Sequence, residues 1–119
     1  MDKSNNLYRK CLELAKNIVI LYRDIDSNKI ENDLLKQMLR SGTSVGANVA
    51  EAQGSISEPD YVSKMHIAYK ELLETEYWID LFHETEIIPD KRHAELIEQI
   101  SEVSKILYSI TKSIRSKRN

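Results

Sequence analysis

The sequence predicts an all-α chain folded as an antiparallel up-down-up-down four-helix bundle, and three observations carry that prediction. Its 119 residues include only three glycines and two prolines, too few breakers for a many-turned β fold. Three turn-like joints cut the chain into four long pieces. Within each piece the apolar positions step by four and three, a period near 3.5 that suits shallow, coiled-coil-like packing. The length fits one domain over residues 1–119, with helices at roughly 5–26, 29–54, 58–86 and 90–116.

The first helix carries the row Leu7, Cys11, Leu14, Ile18, Leu21 and Ile25, and stops at Asp26-Ser27-Asn28. Asn28, with Glu31 three residues on, is a capping pair for the second helix. That helix carries Leu35, Met38, Gly42, Val45, Val49 and Ala52, and Gly54 suits its C-terminus. In the next joint Ser57 and Asp60 resemble a capping box, with Pro59 tolerated in the first turn. The third row is Tyr61, Met65, Ala68, Leu72, Thr75, Ile79 and Phe82. Pro89, in Ile87-Ile88-Pro89-Asp90, opens a fourth helix with Leu96, Ile100, Val103, Leu107, Ile110 and Ile114 on one face. Short joints make sequential helices antiparallel, and helices of this size run about 30–40 Å at 1.5 Å per residue.

Composition narrows the function classes. A formal charge of −2 gives no general pull toward nucleic acid or anionic membrane, so either would need a local basic patch. Cys11 is the single cysteine, which excludes an intrachain disulfide and a cysteine-based zinc site. The start, Met1 to Asn6, is polar rather than a signal-type apolar block, and no apolar run nears the roughly 20 residues of a membrane span. A cytoplasmic protein is the expectation.

The core rows do not use up the apolar residues. Tyr8, Leu12, Ala15, Val19 and Tyr22 form a second row on helix 1. Helix 3 places Ile67, Leu73, Tyr77 and Leu81 away from the bundle axis, and helix 2 places Gly46, Ala47 and Ala50 where Lys or Glu normally sits. Such rows either broaden each helix's core face or form a subunit interface, and the second reading is preferred because large apolar patches on monomers mark contacts. Small residues on helix 2 let another backbone approach closely.

Beside the core row of helix 2 runs a polar seam of Ser41, Ser44, Asn48 and Glu51, answered on helix 3 by Lys70, Glu71, Glu74 and Glu76. Polar groups at such a boundary need partners, so Asn48 and Glu51 are expected to bond to a neighbouring helix. Here the chain resembles a known family. Arg40-Ser41-Gly42-Thr43-Ser44-Val45-Gly46-Ala47-Asn48-Val49-Ala50-Glu51-Ala52-Gln53 and the stretch from Ser57 to Phe82 look like the bacterial four-helix-bundle family of large-subunit (23S) ribosomal RNA intervening-sequence proteins. Arg40, Ser44, Asn48, Ala50, Glu51, Lys70, Glu71 and Glu76-Tyr77-Trp78 fall in register with it together. The resemblance implies a bundle assembling into a ring-like homopentamer, and a distant similarity to the nucleic-acid-binding accessory protein of diversity-generating retroelements. It implies no settled activity.

Catalytic and metal chemistry find no footing. Ferritin-like di-metal sites need Glu-x-x-His pairs, whereas Ser63, Asp80 and Asp90 stand three residues before His66, His83 and His93. Glu71 and Glu74 lack a partnering base or nucleophile, Ser41 and Ser44 lie in a helix rather than a nucleophile elbow, and no Gly-rich phosphate loop is present. No enzyme activity and no cofactor are expected. Nucleic acid remains an alternative partner. Arg9, Lys16 and Arg23 repeat by seven on helix 1, Lys105 and Lys112 on helix 4, and Arg115, Lys117 and Arg118 follow. On adjacent helices these rows would merge into one basic strip, diluted by Glu13, Asp24, Glu98 and Glu102.

Overall fold

The computed structural model describes residues 5–25 and 31–118, with side chains described as far as Lys112. Four helices fill it: α1 (Asn6–Asp24), α2 (Asn32–Ala52), α3 (Glu58–Glu84) and α4 (Asp90–Arg118). The body measures 47 × 24 × 24 Å. Each helix packs on its two sequence or ring neighbours, α1 on α2 and α4, α3 on α2 and α4, with α1 and α3, and α2 and α4, on the diagonals.

The contacts fix the directions. Along α1, Lys10, Asn17 and Asp24 meet Glu102, Gln99 and Arg92 of α4, descending as α1 ascends. Tyr22 bonds Asn32 near the α1–α2 joint, while Cys11 abuts Gly46 two-thirds of the way along α2. Tyr69 meets Tyr108, and Asp80 meets His93, across α3 and α4. Neighbours are therefore antiparallel, and α2 and α3, joined by five residues, follow suit.

The predicted core rows are the observed core. Leu7, Cys11, Leu14, Ile18 and Leu21, then Leu35, Met38, Val45, Val49 and Ala52, then Met65, Ala68, Leu72, Ile79 and Phe82, then Leu96, Ile100, Val103 and Leu107 are all buried. Gly42 and Thr75 complete the rows from within, and Ile25, Tyr61 and Ile110 pack against their edges. Ile114 falls beyond the described side chains.

The helix ends show which local signals decided. Asn5 caps α1, accepting from the Tyr8 N–H at 3.1 Å. Asn28 lies outside the described residues; α2 begins at Asn32 after Glu31, which makes no side-chain cap. Ser57 accepts from the Asp60 N–H at 3.1 Å, but the Asp60 carboxylate reaches back to the Ile56 N–H at 3.4 Å, not to Ser57 as a full capping box would. Gly54 does not take a left-handed conformation. Glu86 does, with φ 65°. The Ile87 N–H then reaches the Phe82 carbonyl at 2.8 Å and the Glu86 N–H reaches His83 at 3.1 Å, a Schellman closure without its customary glycine.

Candidate functional site

Gly46 does not face away from the bundle as expected: it packs against Cys11 of α1, and Ala47 and Ala50 flank that α1–α2 pairing. Gly46 has no side chain, so Cys11 of α1 approaches until a Cβ at Gly46 would lie 3.3 Å from the Cys11 Cβ. Gly42 goes further, since a Cβ there would lie 2.5 Å from the Ile18 Cδ1. The helices sit close, but the outer shoulders left by Ala15, Ala47 and Ala50 are low. An open groove of about 220 Å³ results, lined by Tyr8, Cys11, Leu12, Ala15, Thr43, Gly46, Ala47 and Ala50. Leu12 on its rim is 45% exposed. Cys11 forms part of the floor, and burial pushes its thiol up to about 12, so it stays a neutral, unreactive apolar group.

The other apolar candidates lie on α3. Tyr77 is 60% exposed, Leu73 47% and Ile67 40%, while Leu81 is half-buried. Leu73 and Tyr77, one turn apart, make a ridge on the helix diagonally opposite α1. Groove and ridge therefore occupy separate faces of one chain, and neither covers the other.

The polar seam is divided differently from the expectation. Asn48 donates to the Ser44 carbonyl at 2.9 Å and to the Ser44 hydroxyl at 3.1 Å, so its bonds stay on its own helix. Its amide sits one turn from Ser44, a spacing at which Asn side chains bond their own helix backbone. Glu51 and Lys70 are exposed. Arg40 makes the crossing: Nη2 donates to Glu74 at 2.8 Å and Nη1 stands 3.4 Å from Glu71. Trp78 Nε1–H donates to the same Glu74 oxygen at 3.0 Å. That bond, then Arg40, holds the Glu74 carboxyl below its usual range against the opposing effect of burial. Deeper in, the Thr75 hydroxyl has two acceptors within reach, Ser41 Oγ across on α2 at 2.9 Å and the Glu71 carbonyl on its own helix at 2.8 Å, while Ser41 donates to the Met38 carbonyl at 3.3 Å. Thr75 stood in the predicted core row, and a hydroxyl there was the available signal for a crossing bond.

The basic residues are exposed, but the structure does not merge them. Lys10, Asn17 and Asp24 form the α1 side of the α1–α4 seam, paired with Glu102 at 2.7 Å, Gln99 at 3.1 Å and Arg92 at 2.9 Å. Arg9, Lys16 and Arg23 each precede one of those three, which turns them about 100° around the helix and off the seam. Lys16 also meets Glu13 at 3.4 Å. Lys105 and Lys112 are exposed on α4, and the side chains of Arg115, Lys117 and Arg118 lie outside the described residues. A seam of paired side chains, two of the three pairs charged, separates the two rows.

At the α3–α4 turn His83 and His93 stack with ring centroids 3.8 Å apart. Each meets the other helix's aspartate, His83 with Asp90 at 2.7 Å and His93 with Asp80 at 2.8 Å. Asp80 thus pairs across the bundle with His93 and not with His83 of its own helix. Among the described residues no group of three or more His, Cys, Asp or Glu side chains is placed to hold a metal ion, and no helix is long and apolar enough to cross a membrane.

Comparison with known proteins agrees with this fold. The family model described as 23S rRNA-intervening sequence protein matches residues 3–109. A crystal structure of a protein of unknown function from the S23 ribosomal protein family, from Bacteroides thetaiotaomicron, superposes with a TM-score of 0.84 at 42% identity. The match covers 89% of this chain and 98% of that one. No curated protein matches the chain.

Proposed function

The chain belongs to the 23S rRNA-intervening sequence protein family, and on that premise we propose that it is a non-enzymatic cytoplasmic protein whose working form is an assembly of several copies of itself. The observation that carries the reading is the open groove between α1 and α2, with alanines on its shoulders and a half-exposed Leu12 on its rim. Contiguous apolar surface of this kind is seldom left to water on a monomer. A ridge of matching character, Leu73 and Tyr77, stands on α3. Since the two patches differ, ridge-into-groove contact is heterologous, and successive copies close into a ring when the rotation permits. Five is the number that the family resemblance implies. Ile67 and Leu81 border the ridge, and Gly46, Ala47 and Ala50 give its receiving surface. Arg40, Glu71, Glu74 and Trp78 have the different role of fixing the register of α2 on α3 beneath it.

A nucleic-acid strip running across α1 and α4 is the weaker reading, because the matched pairs of their seam lie between Arg9, Lys16 and Arg23 on one side and Lys105 and Lys112 on the other. Light scattering tests the assembly. The wild type is expected at a multiple of the 13.8 kDa chain mass. Ala47→Glu is exposed in the single chain, so it keeps the helicity while placing an unpaired charge in the contact, and is expected to dissociate it. A monomeric wild type at high micromolar concentration would overturn the proposal.

A further inference from the structure

The distribution of acidic residues singles out one region of the surface. Residues 61–70 of α3 and 103–118 of α4 contain no Asp or Glu, although the chain has 19 in all. These two segments lie side by side, as the pairing of Tyr69 with Tyr108 shows. Between them is a cleft of about 210 Å³ lined by His66, Tyr69, Tyr108, Thr111 and Lys112. It is smaller than the roughly 300 Å³ of the least small-molecule pockets, so it suits a group that stacks on its wall better than one it would engulf. Tyr108 is 52% exposed, its ring 6.5 Å from that of Tyr69 and tilted by 52°. The Lys112 ammonium rests 5.8 Å from the Tyr108 ring centre.

No carboxylate lines the cleft, and Lys112 does. Lys70 and Lys105 are exposed on the flanking turns. The nearest carboxylate before Tyr108 on α4, Glu102, is paired with Lys10 at 2.7 Å, and the nearest after Tyr69 on α3, Glu71, is drawn to Arg40 on the α2 side. Glu102 has Lys10 to itself, whereas Glu71 shares Arg40 with Glu74. An exposed aromatic ring with ammonium groups beside it and no carboxylate in its cleft is the chemistry that receives an unpaired base and its phosphates. A duplex offers the phosphates but keeps its bases stacked.

From this juxtaposition we infer that the α3–α4 face, at Tyr69, Tyr108, Lys105 and Lys112, is a contact site for single-stranded nucleic acid. A base stacks on Tyr108, and Lys112 leaves the ring face to meet a phosphate. This goes beyond self-assembly, and uses neither the α1–α2 groove nor the α1 basic row.

The test is fluorescence anisotropy with the full chain and a labelled single-stranded RNA of about twelve nucleotides, with DNA of the same sequence and the corresponding RNA duplex alongside. Both single strands are expected to bind at low salt, and the duplex more weakly. Tyr108→Ala, at an exposed position, is expected to lower the affinity about tenfold with the salt dependence unchanged. Lys112→Gln is expected to reduce the slope of log affinity against log salt by about 0.7. Arg9→Glu combined with Lys16→Glu is expected to leave binding unchanged. No binding of either single strand at low salt, a duplex bound as tightly as the single strand, or full affinity in Tyr108→Ala would each overturn the inference.

Discussion

Replacing Gly42 by alanine sets two effects of known size against each other. In a helix interior, alanine is favoured over glycine by about 1 kcal/mol. Against it stands a contact: the new Cβ would lie 2.5 Å from Ile18 Cδ1 and 3.2 Å from Ile18 Cγ2. Ile18 is fully buried, so its δ-methyl has no solvent to move into and must push the neighbouring core. Overpacking of that kind costs about 1–3 kcal/mol. The net expectation for Gly42→Ala is a loss of about 1 kcal/mol. Ile18→Val removes the offending δ-methyl, and alone costs about 0.5–1.5 kcal/mol for the space left behind. Combined, the alanine methyl occupies that space, so the double variant is expected within about 0.5 kcal/mol of wild type, a strong departure from additivity. Urea unfolding at fixed protein concentration, followed by circular dichroism, reads all four proteins of the cycle. A double variant as unstable as the sum of its singles would refute the reasoning, because the cost would then come from somewhere other than this pair of atoms.

Two further predictions concern groups whose roles the sequence concealed. Trp78→Phe removes the donor that does most to hold the Glu74 carboxyl below its usual range. A carboxyl depressed in the folded state contributes stability above its unfolded value, near 4.5, and that contribution is lost as pH falls through the folded value. The variant is therefore expected to be less stable than wild type at pH 7, by under about 1 kcal/mol since the site is partly exposed. The gap should narrow on acidification, and a gap independent of pH would exclude the account. Glu86→Gly relieves a left-handed conformation that a side chain adopts at a cost of about 1 kcal/mol. Thermal unfolding is expected to move up by about 4 °C, and an unchanged or lower midpoint would show that the Glu86 side chain contributes more than its backbone costs.

The bundle was legible because its cause is periodic. Each buried row recurs at the helical spacing, and burial of one stripe per helix leaves few other arrangements for four such pieces. The surplus row of Tyr8, Leu12 and Ala15 and the small residues Gly46, Ala47 and Ala50 were also visible, since apolar residues off the core stripe are conspicuous. That they line one groove was not, because it depends on which flank α1 turns to α2. The polar seam was harder still. Asn48 bonds its own helix at Ser44, which spacing alone does not reveal, whereas Arg40 is long enough to reach α3 and does. The Schellman closure at Glu86 carries no glycine, so its usual signal is missing. The same limit governs charge: Arg9 and Lys10 are equally basic in sequence, but 100° of helix rotation puts one on the open surface and the other against Glu102.

The central claim is that one copy's α3 ridge enters another copy's α1–α2 groove. It is tested most directly by mixing two chains, each unable to assemble with itself. Ala47→Glu spoils the groove and keeps the ridge, while Leu73→Glu spoils the ridge and keeps the groove. Sedimentation of either alone is expected to give the 13.8 kDa chain. Mixed in equal amounts, they retain one good groove and one good ridge between them, so they are expected to form a one-to-one dimer of twice that mass, and nothing larger. A mixture that stays monomeric, or that rebuilds the full wild-type assembly, would contradict the ridge-into-groove account.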